Sequence, residues 1–280
     1  MLFVIIRSPW PFLTEFKKTT MSTEAQEAAH EIGTLNESPL HAALKAWYAQ
    51  PGDQFEVSVD GFVVDIVRGN LLVEIQTCNF SAIRQKLITL ITGHPLRLVY
   101  PVAQEKWIVK QPRDGHGQPK RRKSPKRGAF EHVFKELVSF PRLVSNPDFS
   151  LDVLLIQEEE VRHHDGRRRW RRRGWVTDER RLLDVVGHQI FETTADLAAL
   201  VPPDLTEPWT TAELADAMGR RRRLAQQMAY CLREMGVIEP VGKQGNAILY
   251  AQAAAWSAEH TEPYGTRRHT RSHNTDKETA

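Results

Sequence analysis

Polar and apolar positions alternate along residues 55–77, and this spacing is typical of β-strands. The alternation is interrupted by two short turns. The second turn is a Gly-Asn dipeptide, a sequence that closes two-residue hairpin loops. The pattern predicts a three-stranded meander whose last two strands are residues 62–67 and 71–77. A hairpin closed at this turn places Asp65 directly opposite Glu74.

The two faces of the predicted hairpin differ in character. Six apolar residues share one face, namely Phe62, Val64, Ile66, Leu71, Val73 and Ile75. The other face carries Asp65, Glu74 and Gln76. A slip of one residue would turn the acids towards the core, so the sequence specifies this register well.

Helical spacing precedes and follows the meander. Ser38 and Pro39 start a helix in which Leu40, Leu44 and Trp47 recur on one face. A second helix follows the meander and ends at a glycine and a proline. Other apolar segments predict strands at 96–102, 106–110 and 151–161 and a helix at 129–140. A strand–helix–strand passage of this length implies a right-handed crossover, so the order predicts an α/β fold with a mixed sheet flanked by helices.

The pattern changes after residue 190, where short helices replace strands. Thr210 and Glu213 have the spacing of a capping box, and Gly219 ends that helix. A longer helix follows the arginine run at 220–223, and two short strands around a GKQGN turn come last. The segment 190–252 therefore has the order helix, helix, turn, helix and hairpin.

Composition limits the class of protein. The chain has 280 residues, enough for two domains, and an ordinary globular composition. Cys78 and Cys231 follow no metal or redox spacing, which favours a reducing, cytoplasmic setting. No apolar run approaches the roughly 20 residues that cross a bilayer, so no membrane partner is expected. Residues 1–35 are expected to be disordered or to include a mis-assigned start, and residues 253–280 to form a disordered tail.

Positive charge is unevenly distributed, although the net charge is only +3. Three segments concentrate it, namely 120–127, 162–173 and 220–223. Clustered basic residues are typical of proteins that bind a polyanion. The first segment lies in a stretch rich in Pro and Gly, residues 112–128, for which a solvated loop is expected. The second contains Arg171 and Arg172 beside tryptophans, and guanidinium and indole groups suit phosphates and exposed bases.

The pairing of Asp65 with Glu74 brings two like charges together. Two unit charges about 5 Å apart repel by roughly 3 kcal/mol at an effective dielectric constant near 20. A divalent cation between the carboxylates would convert this repulsion into attraction. If the face is open to water instead, screening leaves the repulsion small. Both interpretations are open on spacing alone.

Residues 36–111, with an extension to 161, resemble the PD-(D/E)XK nuclease superfamily. The resemblance depends on the order helix, β-meander, helix and strand, and on Asp65, Glu74 and Gln76 in the pattern D…ExQ. The family usually has Lys at the third position, although some restriction-enzyme branches have Gln there. The resemblance implies a restriction-endonuclease-like sheet and hydrolysis of phosphodiester bonds with a bound metal ion.

The resemblance also implies a metal site. Asp65 and Glu74 would bind Mg²⁺ (or Mn²⁺), with the backbone carbonyl of Ile75 as a further ligand. Such a metal lowers the pKa of bound water and acts as a Lewis acid at the scissile phosphate.

Other residues receive roles from the same resemblance. Gln76 would orient the attacking water, and Lys86, or Arg84 on the same helix, would supply the missing positive charge. Glu37 is the nearest candidate for the acid that the family often has on its first helix. The alternatives are that Gln76 is a polar residue on a wet strand and that Lys86 is a solvated helix position.

Residues 190–252 resemble the winged helix-turn-helix superfamily. In such a module the third helix lies in the major groove, while the wing contacts the backbone or the minor groove. The implied DNA-binding residues are Arg221, Arg222, Arg223, Gln226 and Gln227 on the helix and Lys243 on the wing, together with Arg171 and Arg172 of the basic segment. The alternative is a module used for protein contacts, with arginines that are merely solvated.

These resemblances predict a metal-dependent nuclease that hydrolyses DNA phosphodiester bonds and is positioned by a winged helix. The alternative is a catalytically inactive DNA-binding or regulatory protein with a degenerate nuclease domain. RNA is the less favoured partner, and the oligomeric state is open, with a homodimer among the options. The predicted boundaries are 36–161 for the nuclease-like domain, 162–189 for an Arg/Trp-rich connector and 190–252 for the winged helix.

Overall fold

The computed structural model describes residues 37–113, 116–165 and 174–259. Over these residues the chain is an α/β protein in which helices flank a seven-stranded mixed sheet. The predicted α/β fold with a mixed sheet is therefore confirmed. The strand order is β1-β2-β3-β4-β6-β7, and β5 pairs with β4 beside this path. Strand β4 runs parallel to both β3 and β6, and the other pairs in this sheet are antiparallel.

The elements of the main sheet and its helices follow in chain order. They are α1 (Pro39–Tyr48), β1 (Gln54–Val59), β2 (Phe62–Arg68), β3 (Leu71–Ile75), α2 (Phe80–Leu90), β4 (Leu96–Lys110), β5 (Lys120–Lys123), α3 (Phe134–Leu137), β6 (Phe149–His164) and β7 (Trp175–Phe191). Two 3₁₀ turns, Phe130–Val133 and Pro141–Ser145, flank α3. Helix α2 makes the predicted crossover between the parallel strands β3 and β4.

Helix α1 covers one face of the sheet. Ser38 caps the helix by accepting a backbone N–H, as the sequence predicts. Leu40, Leu44 and Tyr48 are the buried residues of the helix, whereas Trp47, predicted to point inward, is 45% exposed. Residues four apart share a helix face, so Tyr48 and not Trp47 continues the stripe begun by Leu40 and Leu44.

Apolar residues are buried on both faces of the main sheet. Ile66, Val73 and Ile75 pack in a smaller cluster together with α1, whereas Val64 and Leu72 belong to a larger cluster that includes α2 and α3. The hairpin residues predicted to share one apolar face are thus divided between two core layers. Helices cover both sides of the sheet, so both faces of the hairpin can be apolar.

Strands β4, β6 and β7 extend well past the end of β3. The strands predicted at 96–102 and 106–110 are the single strand β4. The predicted connector 162–189 instead belongs to β6 and β7 in its described parts, and β5 lies within the predicted loop 112–128. Hydrophobic periodicity does not reveal β5 and β7 because ion pairs to strand β6 replace apolar contacts there. We call this extension the outer arm, defined as residues 104–110, 120–123, 157–164 and 175–184.

The C-terminal part of the chain forms a small second sheet with its own helices. Its elements are α4 (Thr194–Ala198), β8 (Trp209–Thr210), α5 (Thr211–Ala217), α6 (Arg222–Glu234), β9 (Ile238–Gln244), β10 (Ala247–Gln252) and α7 (Ala254–Glu259). The strand order is β8-β10-β9. Thr210 and Glu213 form the predicted capping box at the start of α5, and each satisfies a backbone N–H of the other.

The C-terminal helices share an apolar core with the main sheet. Leu224 and Met228 of α6 are buried in the same cluster as Phe134 and Phe140. Exposed ion pairs lie at its edge, such as the pair between Arg142 and Glu234 at 2.9 Å. The two parts therefore pack as one body along α3 and α6.

The predicted disordered ends lie mostly outside the described residues. Of the predicted tail 253–280, residues 253–259 are described, and they include α7. That part of the prediction is wrong, since Trp256 packs against the apolar core. Among the helices that the structure describes, none is both long and apolar enough to span a membrane.

Candidate active site

The β2–β3 hairpin has the predicted register. Ile66 pairs with Val73 and Arg68 pairs with Leu71. Backbone pairing of β2 with β3 ends at Ile66 and Val73. At the next position, Oδ2 of Asp65 accepts a hydrogen bond from the N–H of Ile75 at 2.7 Å. This contact holds the carboxylate of Asp65 against the strand that carries Glu74.

Glu74 lies in the interior beside this carboxylate. Only 4% of the surface of Glu74 is exposed to solvent. Lys86 of α2 reaches the same place, where its Nζ atom is 2.5 Å from Oε1 of Glu74. The same ammonium donates a hydrogen bond to the backbone carbonyl of Val63 at 2.6 Å. The structure therefore brings together Asp65, Glu74 and Lys86, three residues that the sequence analysis named.

The two carboxyl groups have pKa values displaced in opposite directions. Burial, and then the charge of Asp65, raise the pKa of Glu74 to about 7, although Lys86 works against this. Burial also tends to raise the pKa of Asp65, but His41, the N–H of Ile75 and Lys86 together hold it below its usual value. Asp65 is therefore the ionised partner of the pair at neutral pH, and Glu74 is the one that carries the proton more easily.

His41 is a site residue that the sequence analysis missed. It lies on the first turn of α1, and its Nε2 atom is 3.3 Å from Oδ2 of Asp65. Lys45, one turn further along the same side of the helix, is paired with Glu56 of β1. Polar residues four apart beside an apolar stripe face the neighbouring strands, and this spacing is the signal that could have identified His41.

The side chain of Gln76, predicted to orient the attacking water, is directed towards the turn after β3. Its amide nitrogen donates to the backbone carbonyls of Cys78 at 2.5 Å and Asn79 at 3.3 Å. These bonds hold the turn that leads into α2, where Asn79 has a left-handed backbone with φ of 59°. Among the described residues, the hydrogen bonds of this side chain go to the turn and not to either acid. Gln76 supports the loop after β3.

The remaining predicted residues of this site differ in their placement. Arg84 lies on a groove that also includes Tyr230 of α6, so Lys86 is the cation of α2 that reaches the acids. Glu37 precedes Ser38 and is not part of α1. The N–H of Ile75 points towards Asp65, and its carbonyl points to the same edge because both groups of a strand residue face one side.

The donor set at the hairpin fits a hard divalent cation. Two carboxylates and a backbone carbonyl are all oxygen ligands, and Mg²⁺ is commonly held by one or two carboxylates together with substrate phosphates. The contacts to Asp65 from His41 and from Ile75 both use Oδ2, so Oδ1 is left to bind a metal ion. Over the part of the chain that the structure describes, no cluster of three or more His, Cys, Asp and Glu side chains suited to a metal is present.

The predicted DNA-binding residues are mostly on the surface. Arg221, Arg222, Arg223 and Gln226 are exposed at the start of α6, Gln227 is half-buried, and Lys243 is exposed on β9 near its turn. Arg171 and Arg172 lie outside the described residues. The structure thus presents a row of basic and amide side chains on one end of α6.

Comparison with known proteins places the chain in a family. A domain of unknown function (DUF8091) matches residues 38–192. The chain belongs to the DUF8091 family. An uncharacterized protein of Treponema pallidum (strain Nichols) is 31% identical to it over 223 residues, which cover 78% of this chain and 86% of the relative. No solved structure matches the chain at a significant level.

The DUF8091 match coincides with the main sheet. It begins at the N-cap of α1 and ends one residue after β7, so it includes Asp65, Glu74, Lys86 and His41. The alignment with the relative from Treponema pallidum is longer than this match. The similarity to that relative therefore extends beyond the main sheet.

Proposed function

We propose that this DUF8091 protein is a metal-dependent nuclease that hydrolyses DNA phosphodiester bonds. The observation that carries the proposal is the meeting of Asp65, Glu74 and Lys86 at the end of the β2–β3 hairpin. A buried pair of acids with displaced pKa values is typical of functional sites, because burying like charges destabilises a fold unless they serve a ligand. The fold order, together with Asp65 and Glu74, resembles the PD-(D/E)XK pattern, in which such acids bind metal.

Asp65, Glu74 and the carbonyl of Ile75 are the proposed ligands of Mg²⁺ or Mn²⁺. When bound, the metal would lower the pKa of a coordinated water and withdraw charge from the scissile phosphate. His41 would hold Asp65 in place through its contact with Oδ2, as outer partners of metal ligands commonly do.

Lys86 takes the part that the family usually gives to a strand lysine. Its Nζ atom lies 2.5 Å from Oε1 of Glu74, and it reaches the site from α2. A lysine ammonium can pair with a phosphate oxygen and stabilise charge that develops in the transition state. The amide of Gln76 cannot supply this charge, and its hydrogen bonds to the turn leave that task to Lys86.

The C-terminal part is proposed to be a winged helix that positions the nuclease on DNA. Its order of α4, β8, α5, α6, β9 and β10, with the sheet order β8-β10-β9, supports this assignment. Helix α6 would be the recognition helix and the β9–β10 turn the wing. The exposed residues Arg221, Arg222, Arg223 and Gln226 would face the DNA, with Lys243 on the wing.

Cleavage of supercoiled plasmid tests the nuclease proposal. The protein with Mg²⁺ or Mn²⁺ should nick or linearise the plasmid, and EDTA should prevent it. Asp65→Asn and Glu74→Gln should abolish cleavage, whereas Asp60→Asn should not. Asp60 is a matched control because it lies in the β1–β2 turn with φ of 49°, a conformation that Asn tolerates. Equal cleavage by all variants would refute the site.

A second candidate function is DNA binding without catalysis. The contact of Lys86 with Glu74 favours it, because an internal ammonium can neutralise the acid that a metal would otherwise neutralise. Calorimetric titration with Mn²⁺ separates the two functions. A nuclease should bind Mn²⁺ in a manner that Asp65→Asn and Glu74→Gln each remove, whereas the non-catalytic protein should show the same weak heats in all three forms.

A further inference from the structure

A row of like charges crosses the far end of the outer arm. In the strand register, Lys110 of β4 lies opposite Lys120 of β5 on one side and opposite Arg162 of β6 on the other. Arg122 pairs with Ile108, two residues back along β4, so it lies on the same face. Like charges directly opposite one another destabilise a sheet. We call Lys110, Lys120, Arg122 and Arg162 the cationic row.

The cationic row is poorly balanced by acids. Among the described residues, no carboxylate forms an ion pair with Lys110, Lys120 or Arg122. Arg162 is paired with Glu160, but Glu160 also serves Lys106. The row therefore has a net positive charge that the arm itself does not neutralise.

The opposite face of the arm is different. There Arg121 is 2.8 Å from Glu159, and Lys123 is 2.8 Å from Glu105. Arg121 and Lys123 alternate with Arg122 along the same short strand, so both faces of β5 carry basic residues. The faces differ in whether acids neutralise these charges. General solubility would not require an unbalanced charge on one face only.

Trp175 holds two cations at this end of the arm. The Nζ atom of Lys110 is 4.4 Å from the centroid of the ring, and the guanidinium of Arg113 is 5.9 Å from it. Burial, followed by repulsion from Arg122, Arg162 and Arg113, lowers the pKa of Lys110. The indole engages cations, so this surface presents ordered positive charges and suits phosphates more than the stacking of bases.

We propose that the cationic row binds the phosphate backbone of duplex DNA, outside the candidate active site and without regard to sequence. This inference rests on the proposed function. Strand β4 continues from Val99, which pairs with Ile75, to Lys110, a length of roughly 35 Å at about 3.3 Å per residue. One turn of duplex DNA has a similar length. Measured along β4, the cationic row therefore lies about one turn of duplex DNA from the level of the carboxylates.

Duplex binding without metal tests the row. Fluorescence anisotropy with a labelled duplex in EDTA would compare the Lys110→Ala/Arg122→Ala protein with the Arg121→Ala/Lys123→Ala protein, which loses the same charge from the other face. The first pair should raise Kd about tenfold or more at 0.1 M salt, and it should reduce the slope of log K against log salt by about two, since each phosphate contact contributes about 0.9. The control pair should stay within twofold of the parent.

Three further measurements complete the design. Lys110→Arg/Arg122→Lys keeps the charges and should retain parental affinity, and thermal unfolding should show that the alanine variants fold. Equal weakening by both alanine pairs, or none by the row pair, would overturn the proposal. Tighter binding of single-stranded RNA than of duplex DNA through the row would also overturn it.

The experiment separates this inference from the proposed function. It uses no metal, and it can be repeated in the Asp65→Asn background because the row does not touch the carboxylates. Loss of binding in the row variants of a protein that never cleaves DNA would support the row and refute the nuclease. Cleavage by a protein whose row variants bind normally would support the nuclease and refute the row.

Discussion

Replacing Glu74 with glutamine should stabilise the metal-free protein at pH 8 and leave it nearly unchanged at pH 4.5. Burial and the charge of Asp65 raise the pKa of Glu74 from 4.5 to about 7 in the folded protein. Between these two values the folded chain binds more protons than the unfolded chain, so stability falls as pH rises. Glutamine stays neutral throughout and should remove this loss.

The magnitude follows from the displaced pKa. Each tenfold change in proton affinity corresponds to about 1.4 kcal/mol, so a rise from 4.5 to about 7 corresponds to about 3 kcal/mol. The side chain of Glu74 is 6% exposed, and solvent screening is correspondingly small. Most of the difference in unfolding free energy between the variant and the parent should develop between pH 5 and pH 8.

Urea unfolding followed by circular dichroism in EDTA, at several values of pH from 5 to 8, measures this difference. Comparing the pH dependence cancels packing effects that do not vary with pH. Asp65→Asn should flatten the dependence, because it removes the second cause of the raised pKa of Glu74. The pKa of Asp65 itself is lowered, so its own contribution is lost only at acidic pH, below this window. A constant difference between Glu74→Gln and the parent across the window would refute the reasoning.

Three other predictions concern stability and reactivity. Lys106→Ala should lower the free energy of unfolding by about 1.5–3 kcal/mol, because it removes one of two cations from the fully buried Glu158 and leaves Arg180 in place, and Lys106→Arg should restore it in the same urea assay. Gly128→Ala should cost about 1–3 kcal/mol in thermal unfolding, since its methyl group would lie 2.4 Å from a backbone oxygen of β4, and an unchanged Tm would contradict the packing described. The exposed thiol of Cys78 should react with a thiol reagent at pH 8 in the native protein, whereas burial raises the pKa of Cys231 to about 12, so two reactive thiols before unfolding would be inconsistent with the fold.

Local signals predicted the hairpin correctly. The Gly-Asn turn and the alternation on either side of it determine which residues face each other, and the pairing of Ile66 with Val73 follows from them. The capping box at Thr210 is local in the same sense. The mixed sheet was also predicted, because a helix between two strands constrains their direction.

Features that depend on packing were less accessible. The contact of Lys86 with Glu74 requires the angle at which α2 crosses the sheet, and no spacing in the sequence gives that angle. His41 was missed because the prediction used the apolar stripe of α1 and not the polar positions His41 and Lys45 beside it, which contact the neighbouring strands. Strands β5 and β7 were missed because their pairing in the outer arm includes ion pairs across strands, whereas strand prediction relies on apolar alternation.

The shared core of α3 and α6 has a consequence for how this protein can be divided. The DUF8091 match ends at residue 192, yet Leu224 and Met228, which lie beyond that limit, are buried in the same apolar cluster as Phe134 and Phe140. A fragment that ends at residue 192 would expose an apolar surface of the core to water. The limit of the family match is therefore not a folding boundary, and the shorter fragment would need another group to cover this surface before it could fold independently.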